Sequence, residues 1–300
     1  MTPFFIILLM VLATPSSPAG ADSPSPSPSP SVKAAAAKIP GVLDHRSPTD
    51  PVLQKWLEEL DTSLRHQWGM TEKDTAAGVL DLLTGRLTLV RPDRIEYAAS
   101  IAKIGILLAF FDLHPEAATA LPPDIAADFG KIAKLSSNPL AAAWSKSMGL
   151  QRIQEVLARH GFWDPDTGGG LWVGRHYGQE GERFGDPIAD HSHAATVRQV
   201  MRFFQMMEQD QLLSPSVSAH MRGIFDSPDL PHDPIKFVKA LEGRKLQLRR
   251  KWGTWENWKH DAAAVRGQGR HYIVVALTHH EQGDDYLEKL AAAVDDFLSP

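Results

Sequence analysis

The run Ile101–Leu113, IAKIGILLAFFDL, limits what this chain can fold into more than any other stretch. Its composition is that of a helix packed on most sides, so much of the chain has to close around it. Lys103 stands inside the run and Ser100 just before it. An ammonium leaves water at high cost unless it is paired. Lys103 is therefore either snorkelling from the helix end or placed for chemistry.

The 300 residues are 43% hydrophobic and 22% charged, enough for one large domain with a proper core or two small ones. A formal charge of -5 leaves no basic footprint for nucleic acid, and no polybasic segment marks a membrane surface. The chain has no cysteine, which excludes disulfides, thiolate metal sites, a cysteine nucleophile and a lipoprotein-type anchor. Residues 1–21 read as an export signal. Phe4–Ala13 has the length of a signal h-region and Ala19-Gly20-Ala21 supplies a small-residue cleavage site, although no Lys or Arg precedes the apolar run. Residues 22–48, beginning DSPSPSPSPSV, read as a Ser/Pro-rich linker. A single domain is expected over 49–300, periplasmic or secreted and monomeric.

SPTDPVLQKWLEELDTSLRHQWG predicts an amphipathic helix with Asp50 as N-cap, Pro51 at the first helical position and Val52, Trp56, Leu60 and Leu64 on one face. Two β-leaning segments flank Thr84-Gly85, a hairpin signal. After the apolar run, helical text continues to about Gly161, and Phe162–His193 reads as a long glycine-rich loop. A helix follows, with Val197, Val200, Phe203, Phe204 and Met207 on its apolar side. Strand-like stretches at Lys251–Val265 and Tyr272–Thr278 and a helix near Tyr286–Leu298 complete the chain. This order predicts an α/β (α+β) fold, with a mainly antiparallel sheet built from both ends of the chain, flanking helices and an inserted all-helical subdomain.

Ser100 and Lys103 are three apart, one turn along one helix face. A serine hydroxyl needs a base, and a lysine kept neutral by desolvation and nearby positive charge can be one. Taken alone, S-x-x-K recurs about once by chance in a chain this long. A second element is AKLSSNPL, where Ser136 and Asn138 stand at a break between helices. A hydroxyl and a carboxamide there can relay a proton and hold a substrate amide; the plain alternative is that Ser137 or Asn138 caps the next helix. The third element is RRKWGTW. Gly253 lets another backbone approach a strand, Thr254 follows it, and Lys251 can hold a carboxylate; otherwise Lys and Arg merely protect an edge strand.

Together, in this order, the three elements resemble the signature of the serine β-lactamase and penicillin-binding-protein superfamily, S-x-x-K, S-D-N and K-T-G, most closely its class A β-lactamase-like branch. The resemblance implies a β-lactamase/transpeptidase-like fold and a serine hydrolase acting through an acyl-enzyme. It implies Ser100 as nucleophile, Lys103 as its proton acceptor and Ser136 as proton donor to the leaving nitrogen. Asn138 would bind the substrate amide, Lys251 would hold Ser136 and a carboxylate, and the N–H groups of Ser100 and Thr254, beside Gly253, would form an oxyanion hole. The substrate would be a β-lactam or a related amide of peptidoglycan type, with no cofactor and no metal.

Three departures stand out. Ser137 replaces the middle Asp of S-D-N, and Trp252 replaces the Thr of K-T-G. Nothing in 162–193 reads as the E-x-x-L-N that carries the deacylating glutamate of class A enzymes, although Glu180, Glu182, Asp186 and Asp190 are acidic. The insert between Ser100 and Ser136 is also shorter than in typical class A enzymes. Slow deacylation is the consequence. Two rival readings remain: zinc on the H-x-H pair His191 and His193, which has no third ligand cluster and precedes a helix that Ser192 or Thr196 can cap, and a non-catalytic cell-envelope binding module with Trp252, Trp255 and Trp258 against a sugar ring.

Overall fold

The computed structural model describes residues 41–300; the expected export signal (1–21) and the linker up to residue 40 lie outside the described residues. The chain packs earlier than the expected boundary at 49. Leu43 is fully buried and its N–H donates to Gln205 Oε1 at 2.7 Å.

Helix α1 (Pro51–Gln67) starts where predicted, the Asp50 carboxylate accepting from the N–H groups of Val52 and Leu53. Its buried stripe runs through Leu53, Leu57 and Leu64, while Val52 is exposed, so the helix is rotated from the expected face. Strands β1 (Thr75–Asp81) and β2 (Leu87–Val90) form the hairpin. The Asp81 carboxylate accepts from the Leu83 N–H and the Thr84 hydroxyl, and Gly85 takes the φ of 78° that the turn needs. After β3 (Glu96–Tyr97), a 3-10 turn at Ala99–Ala102 leads into α2 (Lys103–Leu113).

The inserted helical block is α3 (Pro123–Lys134), α4 (Asn138–Met148) and α5 (Leu150–Arg159). Residues 162–193 are mostly irregular but pinned by short strands: β4 (Trp163–Asp164) pairs with β5 (Gly169–Gly170), and β6 (Trp172–Val173) pairs with β7 (His193–Ala195). The chain continues through α6 (Val197–Glu208), capped by Thr196, and then α7 (Pro215–Asp226) and α8 (Phe237–Ala240), which go beyond the elements read from the sequence. The stretch expected as one strand is two, β8 (Gln247–Trp255) and β9 (Trp258–Gly267), turning at Glu256-Asn257. β10 (Arg270–His279) and α9 (Gly283–Phe297) end the fold.

The main sheet is antiparallel throughout, in the order β2-β1-β10-β9-β8, so both ends of the chain build it as expected. Side-chain alternation divides its residues between two cores. Ile273, Val275 and Leu277 face α6 and join the core that includes α2 and the helical block, whereas Tyr272, Val274 and Ala276 face the side of α1 and α9. This double burial is why Ala262–Val265 of β9 and Tyr272–Leu277 of β10 read as continuous apolar runs. Helix α2 is buried from Lys103 to Phe111, as an all-round apolar helix must be. Gly105 lets α5 close on it: a Cβ there would lie 3.3 Å from the Leu157 methyls.

β8 is the edge strand, and its base is held by a fully buried ion pair, Arg250 Nη2 to Asp261 Oδ2 at 2.7 Å. Asp261 also accepts from the Phe237 N–H at 3.1 Å, tying the approach to α8 onto β9. Removing one partner strands the other charge in the core, so Asp261→Ala is expected to cost about 3–5 kcal/mol. Urea denaturation of the folded domain measures it.

Candidate active site

Ser100 lies in the 3-10 turn, and Ala99 before it has φ 45°, a strained value for a residue with a Cβ. The Tyr177 hydroxyl donates to the Ala99 carbonyl at 2.9 Å and pins that turn. One turn on, Lys103 is fully buried. Its Nζ donates to Ser136 O at 2.5 Å, Asn138 Oδ1 at 2.6 Å and Ser136 Oγ at 3.2 Å. The Tyr177 ring covers it, its centroid 4.5 Å from Nζ.

Those acceptors come from the break between α3 and α4. Ser136 takes φ 56° there. Ser137 accepts from the Leu140 N–H and so serves as the N-cap of α4. With the cap supplied by Ser137, the Asn138 side chain is left to face Lys103. From the sheet edge, Lys251 Nζ donates to Ser136 Oγ at 2.9 Å and to Trp252 O at 2.8 Å. The Ser136 hydroxyl oxygen thus sits between two lysine nitrogens. Gly253 is the contact between β8 and the 3-10 turn: a Cβ there would lie 3.0 Å from Ser100 N and 2.9 Å from Ala98 O. Thr254 Oγ1 accepts from Lys236 Nζ at 2.7 Å.

All seven residues picked from the sequence therefore converge. Ser100, Asn138 and Thr254 line a cleft of about 340 Å³, walled by residues 175–180, Ser192, His193, Tyr97 and Trp255, while the lysines stand buried behind it. A larger groove of about 450 Å³ between α3 and α7 has an apolar lining that includes Leu121 and Ile224 and lies away from these groups. Among the described residues no carboxylate bonds or ion-pairs with Lys103 or Lys251. Burial alone brings Lys103 down to about 7, and burial together with the neighbouring Lys103 pushes Lys251 well below the usual lysine range.

The acidic residues of 162–193 are otherwise engaged. Asp186 accepts from the N–H groups of Ile188, Ala189 and His191, Asp190 pairs with Arg183, and Glu182 faces His176 at 3.5 Å. Glu180 lines the cleft and is exposed. His193 Nε2 donates to Arg175 O at 2.9 Å and its ring lies 4.1 Å from that of Tyr177. Among the described residues there is no group of three or more His, Cys, Asp or Glu placed to hold a metal. Sequence reasoning missed Tyr177 and Lys236. Neither stands in a motif, and each is defined by partners remote along the chain.

A two-faced antiparallel sheet, a helical block and a Ser–Lys pair joined to Ser–x–Asn and Lys–x–Gly across one cleft place the chain in the serine β-lactamase and penicillin-binding-protein superfamily. The profile of the beta-lactamase enzyme family matches residues 139–297, more than half of the chain, and the chain belongs to that family. The match begins after Ser100, Lys103, Ser136 and Asn138 and includes Lys251–Thr254. No curated protein sequence matches the chain. Among solved structures, a β-lactamase from Sphaerobacter thermophilus is similar at 14% identity and TM-score 0.64, over 81% of this chain and 97% of that one. PBP-A is similar at 16% identity and TM-score 0.61, over 80% and 96%, and a class A β-lactamase from Mycobacterium abscessus at 15% and 0.61, over 80% and 98%. At these identities the likeness is one of fold.

If the Tyr177 ring keeps water from Lys103, Tyr177→Ala raises the Lys103 pKa from about 7 towards the free-lysine value near 10.4. An NMR titration of the Lys103 Cε resonance measures both midpoints, and an unchanged midpoint refutes the shielding role.

Proposed function

We propose that this chain is an exported, monomeric serine hydrolase that forms an acyl-enzyme on Ser100 with a β-lactam or a related amide of peptidoglycan type. The observation that carries the reading is Lys103: an amine held out of water with no acidic partner, near 7, one turn from a serine at the floor of a cleft. Neutral Lys103 takes the proton from Ser100 Oγ, and the oxygen attacks the acyl carbonyl. The N–H groups of Ser100 and Thr254 receive the developing oxyanion. Ser136, bonded to both lysines, gives its proton to the leaving nitrogen and recovers one from Lys103. Asn138 keeps its oxygen on Lys103 and offers its NH₂ to the substrate amide.

Lys251 and the Thr254 hydroxyl receive a substrate carboxylate, whose negative charge would favour the protonated amine. Trp252 supplies no hydroxyl to help; its ring stands 5.3 Å from Lys251 Nζ. Hydrolysis of the ester is slow in this reading, because Tyr177 covers the Lys103 amine and, among the described residues, the one acidic side chain on the cleft, Glu180, is solvated. The two buried lysines joined through the Ser136 hydroxyl, one turn from Ser100, favour this over a non-catalytic binding module, which would need neither lysine buried.

Intact mass after exposure to a penicillin, with Ser100→Ala as control, tests the proposal. A persistent adduct absent from the variant is expected; full turnover without an adduct refutes slow deacylation, and neither adduct nor turnover refutes β-lactam acylation. Because the acceptor must be neutral, the acylation rate is expected to rise with pH through about 7 and to fall below it as Lys103 is protonated. Lys103→Met is expected to slow acylation about 10²–10⁴-fold and to abolish that limb, as stopped-flow rates across pH will record.

A further inference from the structure

Lys236, just before α8, is fully buried and has φ 53° and ψ -122°, a conformation that a residue with a Cβ rarely adopts. Its Nζ donates to Gly253 O at 2.8 Å, Thr254 Oγ1 at 2.7 Å and His260 O at 3.2 Å. The Trp252 ring lies 5.4 Å away, and Asp284 on α9 stands 3.7 Å off. Three acceptors use all three protons of an ammonium, so no donor is left for a substrate carboxylate.

Gly253 O belongs to the peptide link whose other end is the Thr254 N–H. Gly253 pairs with His260 of β9, so its carbonyl points into the sheet, towards Lys236. The link is trans, which directs the Thr254 N–H the opposite way, off the edge of β8 and towards the cleft that Ser100 and Thr254 line. Gly253 also leaves room for Ser100 N, the other proposed oxyanion donor, which a Cβ there would approach to 3.0 Å.

We propose that Lys236 is a positioning residue for the oxyanion hole: its ammonium, bonded to Gly253 O, fixes the plane of the Gly253–Thr254 peptide and polarises it, so that the Thr254 N–H is a stronger, preorganised donor. A charge-assisted bond to a carbonyl strengthens the donor at the far end of the same peptide, most of all where water is excluded. The charge is present at neutral pH. Burial brings Lys236 to about 8, with Asp261 on β9 and Asp284 on α9 opposing that fall and Arg250 on β8 and Lys259 on β9 adding to it.

The proposal rests on the acyl-enzyme reading of Ser100 and is tested on the same penicillin adduct. The wild type, Lys236→Met and Lys236→Gln are compared by acylation rate and by the infrared stretch of the ester carbonyl on Ser100. Losing a whole oxyanion donor slows an enzyme about 10²–10³-fold. A weakened one is expected to slow acylation about 10-fold in Lys236→Met, with the carbonyl stretch moved to higher wavenumber and Lys236→Gln in between. The stretch is read only from molecules that have folded and acylated, so partial misfolding leaves it unmoved. A wild-type frequency in both variants overturns the role of Lys236 while leaving the acyl-enzyme intact. Absence of both adduct and penicillin turnover in the wild type removes the acyl-enzyme reading and this proposal with it.

Discussion

The site depends on holding the Lys103 amine out of water without a carboxylate beside it. Removing a charge from water is opposed by its lost hydration, and an acidic partner normally offsets that loss. Here the partners are neutral oxygens, from Ser136 and Asn138, and the face of Tyr177. Burial therefore acts on the protonation equilibrium, and the amine near 7 is the result. Helix α2 supplies the desolvation because its apolar surface is enclosed on all sides, and the α3–α4 break supplies the acceptors at the point where backbone carbonyl and side chain are both free.

From the sheet comes the second half of the site. With both faces of β9 and β10 covered, the sheet is held in place, and its edge strand β8 is set against the turn that carries Ser100 through Gly253. The Arg250–Asp261 pair fixes the strand to its neighbour and the same aspartate holds the chain entering α8, which places Lys236 behind the strand. The Trp252 ring lies 5.4 Å from Lys236 Nζ and 5.3 Å from Lys251 Nζ, so an aromatic face borders both buried amines. The substitution that breaks the third motif thus leaves its lysine in place.

Much of this was legible from the residues because the relevant relations are local. S-x-x-K fixes a serine and a lysine one turn apart, S-x-N at a helix break fixes two polar groups on a turn, and Gly in a strand admits a close approach. Asp50 and Thr196 cap α1 and α6 as their side chains dictate. An apolar run with no polar face had to be an enclosed helix.

What the sequence left open was decided by contacts between remote segments. Which face of α1 is buried depends on α9 and the sheet, so the stripe falls on Leu53 and Leu57. The Phe162–His193 segment takes its path from the pairing of β6 with β7 and from the Asp186 carboxylate, neither of which has a local period. Tyr177 reaches Ala99 across 78 residues, and the Lys236 ammonium meets a carbonyl on β8 only once that strand has paired with β9. By itself, then, the sequence determined which polar residues share a helix turn, a helix break and a strand, because their spacing is set by helix and strand geometry. Tertiary structure alone decided that they meet at one cleft and that, among the described residues, no acidic side chain pairs with Lys103, because burial and hydrogen bonding depend on what the whole fold brings against each side chain.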